Sequence, residues 1–271
     1  MLKQRIITAI VLVALSIWAL FYSTDLVWRG VILAVGFIAA WEWTRFAKID
    51  AQALQVTYAM SVTLVANYAS IHLSFSDIGW LTLIEALLLM LVVLRYQFTK
   101  GQSGLQSMSM ILLAGMLVIV PFVVAMVLFR NEFGPEVVLL SLLLVWTIDT
   151  GAYFSGRRFG KNKLAVFVSP GKTWEGVYGG ALLSLLVAVI VLWYLNSELI
   201  FTWWLMAVLL AVIAAFSVFG DLFESVLKRQ AGLKDSGKIL PGHGGVLDRI
   251  DSLLIAVPML YVLWHFATKV S

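Results

Sequence analysis

Apolar runs long enough to cross a lipid bilayer recur from one end of this chain to the other. A membrane-spanning helix needs about 20 mostly apolar residues, and 62% of the 271 residues are hydrophobic while 13% are charged. Because a lipid-facing backbone has to satisfy its own hydrogen bonds, the sequence predicts an all-α polytopic membrane helix bundle. The nine predicted membrane-spanning segments are 6–23, 27–46, 54–73, 78–97, 105–129, 137–156, 176–195, 200–223 and 252–268.

The distribution of positive charge predicts how the bundle is oriented. If all nine segments cross the membrane, the N-terminus and every even-numbered loop share one face. That face carries all but three of the 19 lysines and arginines, the exceptions being Arg29, Arg130 and Lys269. Because positive residues are retained in the cytoplasm, the N-terminus and the two polar loops at 157–175 and 224–251 are expected there. The expected location is the inner or plasma membrane, with the active site facing the cytoplasm.

The chain is expected to form a single transmembrane domain over residues 1–271. Its first apolar run follows MLKQR and resembles a signal peptide, but the run is long and further segments follow directly, so we interpret it as an uncleaved first span. We interpret residues 1–130 mainly as scaffold and 137–268 as the part that carries the active site. The absence of cysteine excludes disulfides, thiolate metal ligands and a cysteine nucleophile.

Several carboxylates stand inside or beside apolar sequence, close to the two polar loops. Acids within a membrane span are costly and usually face a polar cavity, pair with a base or bind an ion. Asp221 and Glu224 are spaced to share one helix face, and Asp248 and Asp251 repeat that spacing at the start of the last segment. Asp149 lies in the sixth segment. In the absence of thiols, pairs of carboxylates near one membrane surface suit a hard cation such as Mg²⁺.

Basic residues and glycines accompany these acids. Ser169 and Lys172 lie just before the seventh segment, where the start of a helix offers free amide groups to an anion. The loop before the last segment combines basic side chains with glycines that permit close approach of the backbone. Such a loop can neutralise a polyphosphate together with its metal. The candidate residues of this loop and its flanks are Lys228, Arg229, Lys234, Asp235, His243, Gly244 and Arg249.

Other roles would account for parts of the same pattern. The acids could pair with neighbouring bases or cap helices, and the lysines could face anionic lipid. Intramembrane acids also suit a polytopic transporter, although the polar residues here crowd toward one face, which favours an enzyme at the membrane surface. A phosphate-binding P-loop is excluded because the required glycine is replaced by Val166 and because no strand is expected in a helix bundle.

The polar loops resemble the signature of the phosphatidate cytidylyltransferases, also called CDP-diacylglycerol synthases. The matching runs are SVLKRQAGLKDSGKILPGHGGVLDRIDS at 225–252, DTGAYFSGRRFGKNKL at 149–164, VSPGKTWEG at 168–176 and GDLFES at 220–225. Earlier in the chain the similarity is limited to hydropathy and to AAWEW at 39–43. Some members carry a second basic residue where Gly171 stands, which leaves Lys172 as the expected phosphate contact.

The resemblance implies transfer of the cytidylyl group of CTP to phosphatidate, giving CDP-diacylglycerol and pyrophosphate for phospholipid biosynthesis. It also implies Mg²⁺ as cofactor and a homodimer in membrane lipid, and no nucleic-acid partner is expected. The residues expected to act in catalysis are Asp221, Asp248, Lys228 and Lys172. The expected metal ligands are Asp221, Asp248, Asp251 and Glu224. The expected substrate-binding residues are Ser169, Arg229, Lys234, Asp235, His243, Gly244, Arg249 and Asp149.

Overall fold

The computed structural model describes residues 2–195 and 202–268. Lys269 and the first two residues of the predicted eighth segment lie outside these ranges. Within them the chain forms nine helices and one two-stranded hairpin. The elements are α1 (Leu2–Tyr22), α2 (Asp25–Trp43), α3 (Gln52–His72), α4 (Phe75–Phe98), α5 (Met108–Phe159), β1 (Lys163–Ala165), β2 (Ser169–Thr173), α6 (Trp174–Leu195), α7 (Trp203–Phe216), α8 (Val218–Ala231) and α9 (Leu247–Thr268).

Six helical stretches of the described residues are long and apolar enough to cross a membrane: α2, α4, α5, α6, α7 together with α8, and α9. A shorter apolar helix covers Ile7–Tyr22. The protein is therefore a helical, multi-pass membrane protein, as the sequence predicts. Helix α3 lies where the third segment is predicted but is more polar, and hydroxyls such as those of Thr57 and Ser61 bond back to its own backbone. The count of nine spans and the orientation of the N-terminus stay predictions.

Helix α5 contains the predicted fifth and sixth segments, which meet at Gly134. This residue has φ 83, a left-handed conformation that interrupts the helical course. Near the start of α2 the Trp28 indole donates to the carbonyl of Met126 over 3.2 Å, and at its end the Trp43 indole donates to that of Ile111 over 2.8 Å. The first half of α5 therefore runs antiparallel to α2.

The second half of α5 returns toward the end of the bundle at which the first half began. Late in α9, the Tyr261 hydroxyl donates to the carboxylate of Glu132 over 2.9 Å. Farther along α5, Asp149 shares a cavity with residues at the start of α9. That start in turn lies at the C-terminal end of α2, where the Leu247 amide donates to Glu42 over 2.8 Å. The two halves of α5 thus form a helical hairpin, and polar residues of α2, α5 and α9 meet at one end.

The predicted end of the eighth segment, 200–223, is wrong, because helical structure continues to Ala231. The apolar helix α7 ends at Phe216, and Ser217 separates it from α8. Helix α8 ends at Ala231, and the following Gly232 adopts φ 72, the left-handed conformation that commonly closes a helix. Asp221 consequently lies in the first turn of a separate amphipathic helix rather than at the end of the apolar run.

A short antiparallel hairpin lies between α5 and α6, so the expectation of a bundle without strands is wrong here. Lys163 of β1 pairs with Thr173 of β2, and Ala165 pairs with Ser169. The segment follows the end of α5, and its backbone groups satisfy one another by pairing. The hairpin holds Lys172 in an ordered strand immediately before α6.

Glycines allow α5 and α6 to approach closely. A Cβ atom on Gly180 would come within 2.6 Å of the Ile148 carbonyl oxygen, and one on Gly176 within 2.8 Å of the Ala152 carbonyl oxygen. These two glycines therefore form a small-residue packing pair between the helices. The close contact brings Asp149 on α5 to the base of α6 and thus to β2.

Candidate active site

The polar residues of the two loops meet in one cavity at this end of the bundle. The cavity has a volume of about 960 Å³ and is lined by α5, β2, α6, α8, α9 and the loop that joins α8 to α9. That loop, residues 232–246, is called the signature loop below. The predicted site residues that line the cavity are Asp149, Ser169, Lys172, Asp221, Lys228, Asp235, Asp248, Arg249 and Asp251.

Lys228 joins two carboxylates that come from different helices. Its Nζ lies 2.7 Å from Oε2 of Glu224, one turn earlier in α8, and 2.9 Å from Oδ1 of Asp248 in the first turn of α9. The three side chains are 16%, 1% and 6% exposed, so little water screens their charges. Glu224 does not line the cavity, and it acts on the site by holding the Lys228 ammonium group in place.

Asp248 also closes the signature loop. Its Oδ2 accepts hydrogen bonds from the amide of Ser236 (2.9 Å), the hydroxyl of Ser236 (2.8 Å) and the amide of Gly245 (2.9 Å). Gly244 has φ 87, and a Cβ atom there would come within 2.8 Å of the same oxygen. With Lys228 on Oδ1, both carboxylate oxygens are engaged. One side chain therefore ties both ends of the loop to the first turn of α9.

A second lysine–aspartate pair links β2 to α8. Nζ of Lys172 lies 2.6 Å from Oδ2 of Asp221, and both side chains are partly exposed to the cavity. Asp149 and Asp251 lie close enough to interact electrostatically with both members of this pair. Three acidic side chains thus act electrostatically on one ammonium group in this part of the cavity.

Close crossing of α8 and α9 brings two of these acids together. A Cβ atom on Gly220 would overlap the backbone carbonyl oxygen of Asp251. Any larger residue at this position would push the helices apart and separate Asp221 from Asp251. The glycine that precedes the aspartate in GDLFES is therefore needed for the close contact between α8 and α9.

Five predicted residues do not line the cavity: Glu224, Arg229, Lys234, His243 and Gly244. Arg229 and Lys234 are exposed outside it. The His243 amide donates to the Leu240 carbonyl over 2.9 Å and so closes a turn of the signature loop. The structure thus gives His243 a place in the loop backbone, and the substrate-binding roles of Arg229, Lys234 and His243 stay predictions.

Several lining residues were not among the predicted site residues. Arg157 at the end of α5, Thr173 at the end of β2 and Ser252 in α9 all face the cavity. The basic loop that contains Arg157 was predicted only as a cytoplasmic charge cluster. Thr173 accepts a hydrogen bond from the Gly176 amide over 3.2 Å and so caps the first turn of α6.

Glu42, at the end of α2, is the main structural residue that the sequence reasoning missed. Its side chain is 1% exposed, and its Oε2 accepts hydrogen bonds from the Leu247 amide (2.8 Å) and the Ser236 hydroxyl (3.4 Å). The nearby Arg45 guanidinium donates to the carbonyl of Ser236. The region interpreted mainly as scaffold therefore holds the signature loop. An acid in an apolar segment, in AAWEW, was the available signal.

Two glycines of the signature loop are required by Glu42. A Cβ atom on Gly245 would come within 2.5 Å of Oε2, and one on Gly237 would overlap Oε1. The buried carboxylate thus lies directly against the loop backbone. This close approach explains why glycine stands at these two positions.

The oxygen donors of the cavity suit a hard divalent cation that binds together with substrate. Within residues 2–195 and 202–268, no three acidic or histidine side chains lie close enough to form a preassembled metal centre. Glu224 and Asp248 contact Lys228, and Asp221 contacts Lys172, while Asp221, Asp248 and Asp251 all line the cavity. Mg²⁺ is often held by only one or two carboxylates, with phosphate oxygens and water completing its coordination. The residues present therefore fit Mg²⁺ bound with a nucleotide.

The fold and the cavity define a multi-pass membrane protein with a charged site at one end of its helices. A sequence model of the cytidylyltransferase family matches residues 3–267. The chain is 38% identical over 287 residues to the phosphatidate cytidylyltransferase of Haemophilus influenzae, covering 98% of this chain and 99% of the relative. It is 41% identical over 267 residues to the phosphatidate cytidylyltransferase of Pseudomonas aeruginosa, covering 97% of each. The chain therefore belongs to the cytidylyltransferase family, and the transporter hypothesis gains no support.

Proposed function

We propose that this protein transfers the cytidylyl group of CTP to phosphatidate and releases pyrophosphate. One observation carries the proposal. A single cavity at the ends of membrane-crossing helices combines the ammonium groups of Lys172 and Lys228 with the carboxylates of Asp149, Asp221 and Asp251. This combination suits a substrate that carries several phosphates and a metal ion. The family, and the names of relatives that match nearly the whole chain, point to the same reaction.

The lining of the cavity also suits a lipid substrate. Beside the charged residues it includes Trp146 and Tyr153 of α5, whose side chains are exposed on the outside of the bundle, and Val177 of α6. A phosphatidate molecule in the adjacent leaflet can keep its acyl chains against this apolar margin. Its phosphate then reaches the lysines without leaving the membrane.

The reaction requires positioning and charge neutralisation more than proton transfer. A phosphate oxygen of phosphatidate forms a bond to the α-phosphorus of CTP, and the bond from that phosphorus to the oxygen that joins the α- and β-phosphates breaks, so that pyrophosphate leaves with this oxygen. The attacking oxygen is already anionic near neutral pH, so no strong general base is needed. Lys172 and Lys228, held by carboxylates, would stabilise charge on the phosphates and align the two substrates.

We further propose that Asp221 and Asp251, with Asp149 nearby, hold Mg²⁺ when CTP is bound. The ion would offset the negative charge of the triphosphate and of its leaving group. Glu224 and Asp248 stay predicted ligands, and their contacts with Lys228 and the signature loop support a positioning role for them. Titration of single variants with Mg²⁺ can distinguish the acids that bind the metal from those that position Lys228 and the signature loop.

The proposal also includes the number of membrane spans and the side of the membrane that the active site faces. The excess of lysine and arginine on one side of the predicted topology supports nine spans, a cytoplasmic N-terminus and an active site that faces the cytoplasm. That side is also where CTP is available to an enzyme of the inner membrane. The homodimer implied by the resemblance is part of the same proposal.

The deciding experiment uses the purified protein in detergent with phosphatidate and α-labelled CTP. We expect equal amounts of labelled lipid and pyrophosphate, formation of both being abolished by a chelator and restored by Mg²⁺. Lys172→Met and Lys228→Met variants, checked for folding by thermal melting, should lose most of this activity. Absence of both products from folded wild-type protein in several lipid mixtures would overturn the proposal.

A further inference from the structure

A second concave site lies between α2 and α3, at the opposite end of α2 from Glu42. The groove has a volume of about 240 Å³ and is lined by Leu26, Arg29, Gly30, Leu33, Asn67 and Ile71. At 1.5 Å per residue, Arg29 lies about 20 Å along the helix from Glu42. The groove is therefore separate from the active-site cavity.

Arg29 brings a positive charge to this groove without a matching acid. Its Nη2 donates to the carbonyl of Asn67 and to the hydroxyl of Ser70, each over 3.0 Å, and both acceptors are neutral. Its Nε is buried and has no hydrogen-bond partner among the described residues. Asp25, one turn earlier, pairs instead with Arg130 at 2.8 Å. Across residues 7–195 and 202–268, no carboxylate forms an ion pair with Arg29.

The surroundings of Arg29 are those of a lipid-facing surface. Leu26 and Ile71, on either side of the groove, are 80% and 57% exposed. Helix α2 is long and apolar enough to cross the membrane, so these side chains face lipid. Arg29 lies one turn inside the start of α2, about 6 Å along the axis. This places the guanidinium near the level of lipid headgroups, where long basic side chains at helix ends commonly reach.

We propose that the groove binds one anionic phospholipid, whose phosphate contacts Arg29 and whose acyl chains extend past Leu33 toward the membrane interior, with Leu26 and Ile71 beside the headgroup. Guanidinium donors match phosphate oxygens in geometry and charge. Gly30 keeps the groove open, since no atom lies within 4 Å of the position a Cβ would take there. This lipid is not the substrate, and it fastens α2 to α3 at the end of the bundle remote from the reaction.

The test is a titration of the detergent-purified, full-length protein with phosphatidylglycerol, followed by native mass spectrometry. Arg29→Gln removes the charge, and Gly30→Leu fills the groove while keeping Arg29. Gly79→Leu is the matched control, because this helical glycine of α4 also has no atom within 4 Å of its Cβ position. We expect the wild type and the control to retain one more lipid than the two groove variants. A charge-assisted hydrogen bond lost in Arg29→Gln should weaken this binding about ten-fold.

Two further arms identify the occupant. Glycerophosphoglycerol, the same headgroup without chains, should not displace the lipid, whereas displacement at equal concentration would make this a site for soluble phosphate esters and overturn the proposal. The same spectra report oligomeric state, and loss of a dimer without loss of lipid in the groove variants would show that a second copy of the chain covers the groove. Equal lipid retention by folded Gly30→Leu and wild type also overturns the proposal, even if Arg29→Gln does not fold.

Discussion

Replacing Glu42 by alanine would remove the acceptor shared by the Leu247 amide and the Ser236 hydroxyl, which lie 2.8 and 3.4 Å from Oε2. A hydrogen bond to a charged group contributes about 1.5–3 kcal/mol, and the longer contact contributes the lesser share. The two together amount to about 3 kcal/mol. At 1.4 kcal/mol per factor of ten, this shifts the equilibrium between the ordered and the open signature loop by roughly 100-fold toward the open form.

The kinetic effect should fall on substrate affinity. Glu42 does not line the cavity, so bound substrate can restore the loop at the cost of binding energy. We expect the KM for CTP to rise by up to roughly 100-fold in Glu42→Ala, while kcat changes much less. Rates of pyrophosphate release against CTP concentration measure both quantities. Glu42→Gln keeps one carbonyl acceptor for the Leu247 amide, so its KM for CTP should lie between those of the wild type and Glu42→Ala. Asp50→Asn, a substitution of an exposed acid, serves as the control.

A separate readout reports on the loop itself. Hydrogen exchange at the amide of Leu247 should be faster in Glu42→Ala than in the wild type, because the carboxylate that accepts its hydrogen bond is gone. An unchanged KM together with unchanged exchange in folded protein would refute this account of Glu42. A lower kcat at constant KM would also refute it, since Glu42 would then take part in the chemistry.

The remaining predictions concern charge, packing and metal. Lys228→Met leaves two buried carboxylates without their cation and should lower the free energy of unfolding by about 3–5 kcal/mol. Thermal melting should show this loss, whereas a variant of an exposed residue, Arg229→Met, should melt like the wild type. Gly180→Leu should force α5 and α6 apart and cost about 1–3 kcal/mol, whereas Gly171→Ala, with no atom within 4 Å of its Cβ position, should melt normally. Asp221→Asn should raise the Mg²⁺ concentration needed for half-maximal activity, and an unchanged requirement would remove Asp221 from the metal site.

The sequence predicted those parts of the site that depend on local spacing. Apolar run length marked most of the helices, and the presence of acids next to glycine-rich polar loops marked the residues that line the cavity. Asp221 and Lys228 lie on one helix, so their relation follows from the helical period. The pairing of Lys172 with Asp221 joins β2 to α8, and only a family resemblance linked these two residues in advance.

The features that were missed depend on contacts between distant parts of the chain. Glu42 is a single acid at the end of an apolar segment, and its partners Ser236 and Leu247 come about 200 residues later. The β1–β2 hairpin has too few residues for a periodic signal. It lies beyond the end of α5, where pairing of the two strands satisfies the backbone groups. The break at Ser217 was missed because the apolar residues after it continue the hydropathy of α7, and the end of α8 was missed because charged residues such as Glu224 and Lys228 end the apolar run.

The tie between Glu42 and the signature loop also sets an order for biogenesis. Leu247 follows Glu42 by 205 residues, and at about 5–20 residues per second the ribosome takes roughly 10–40 s to make that stretch. During this interval α2 is made while its carboxylate still lacks both partners. The active site can therefore close only after the start of α9 has emerged. The protein thus becomes catalytically active only after nearly the whole bundle has been synthesised and inserted.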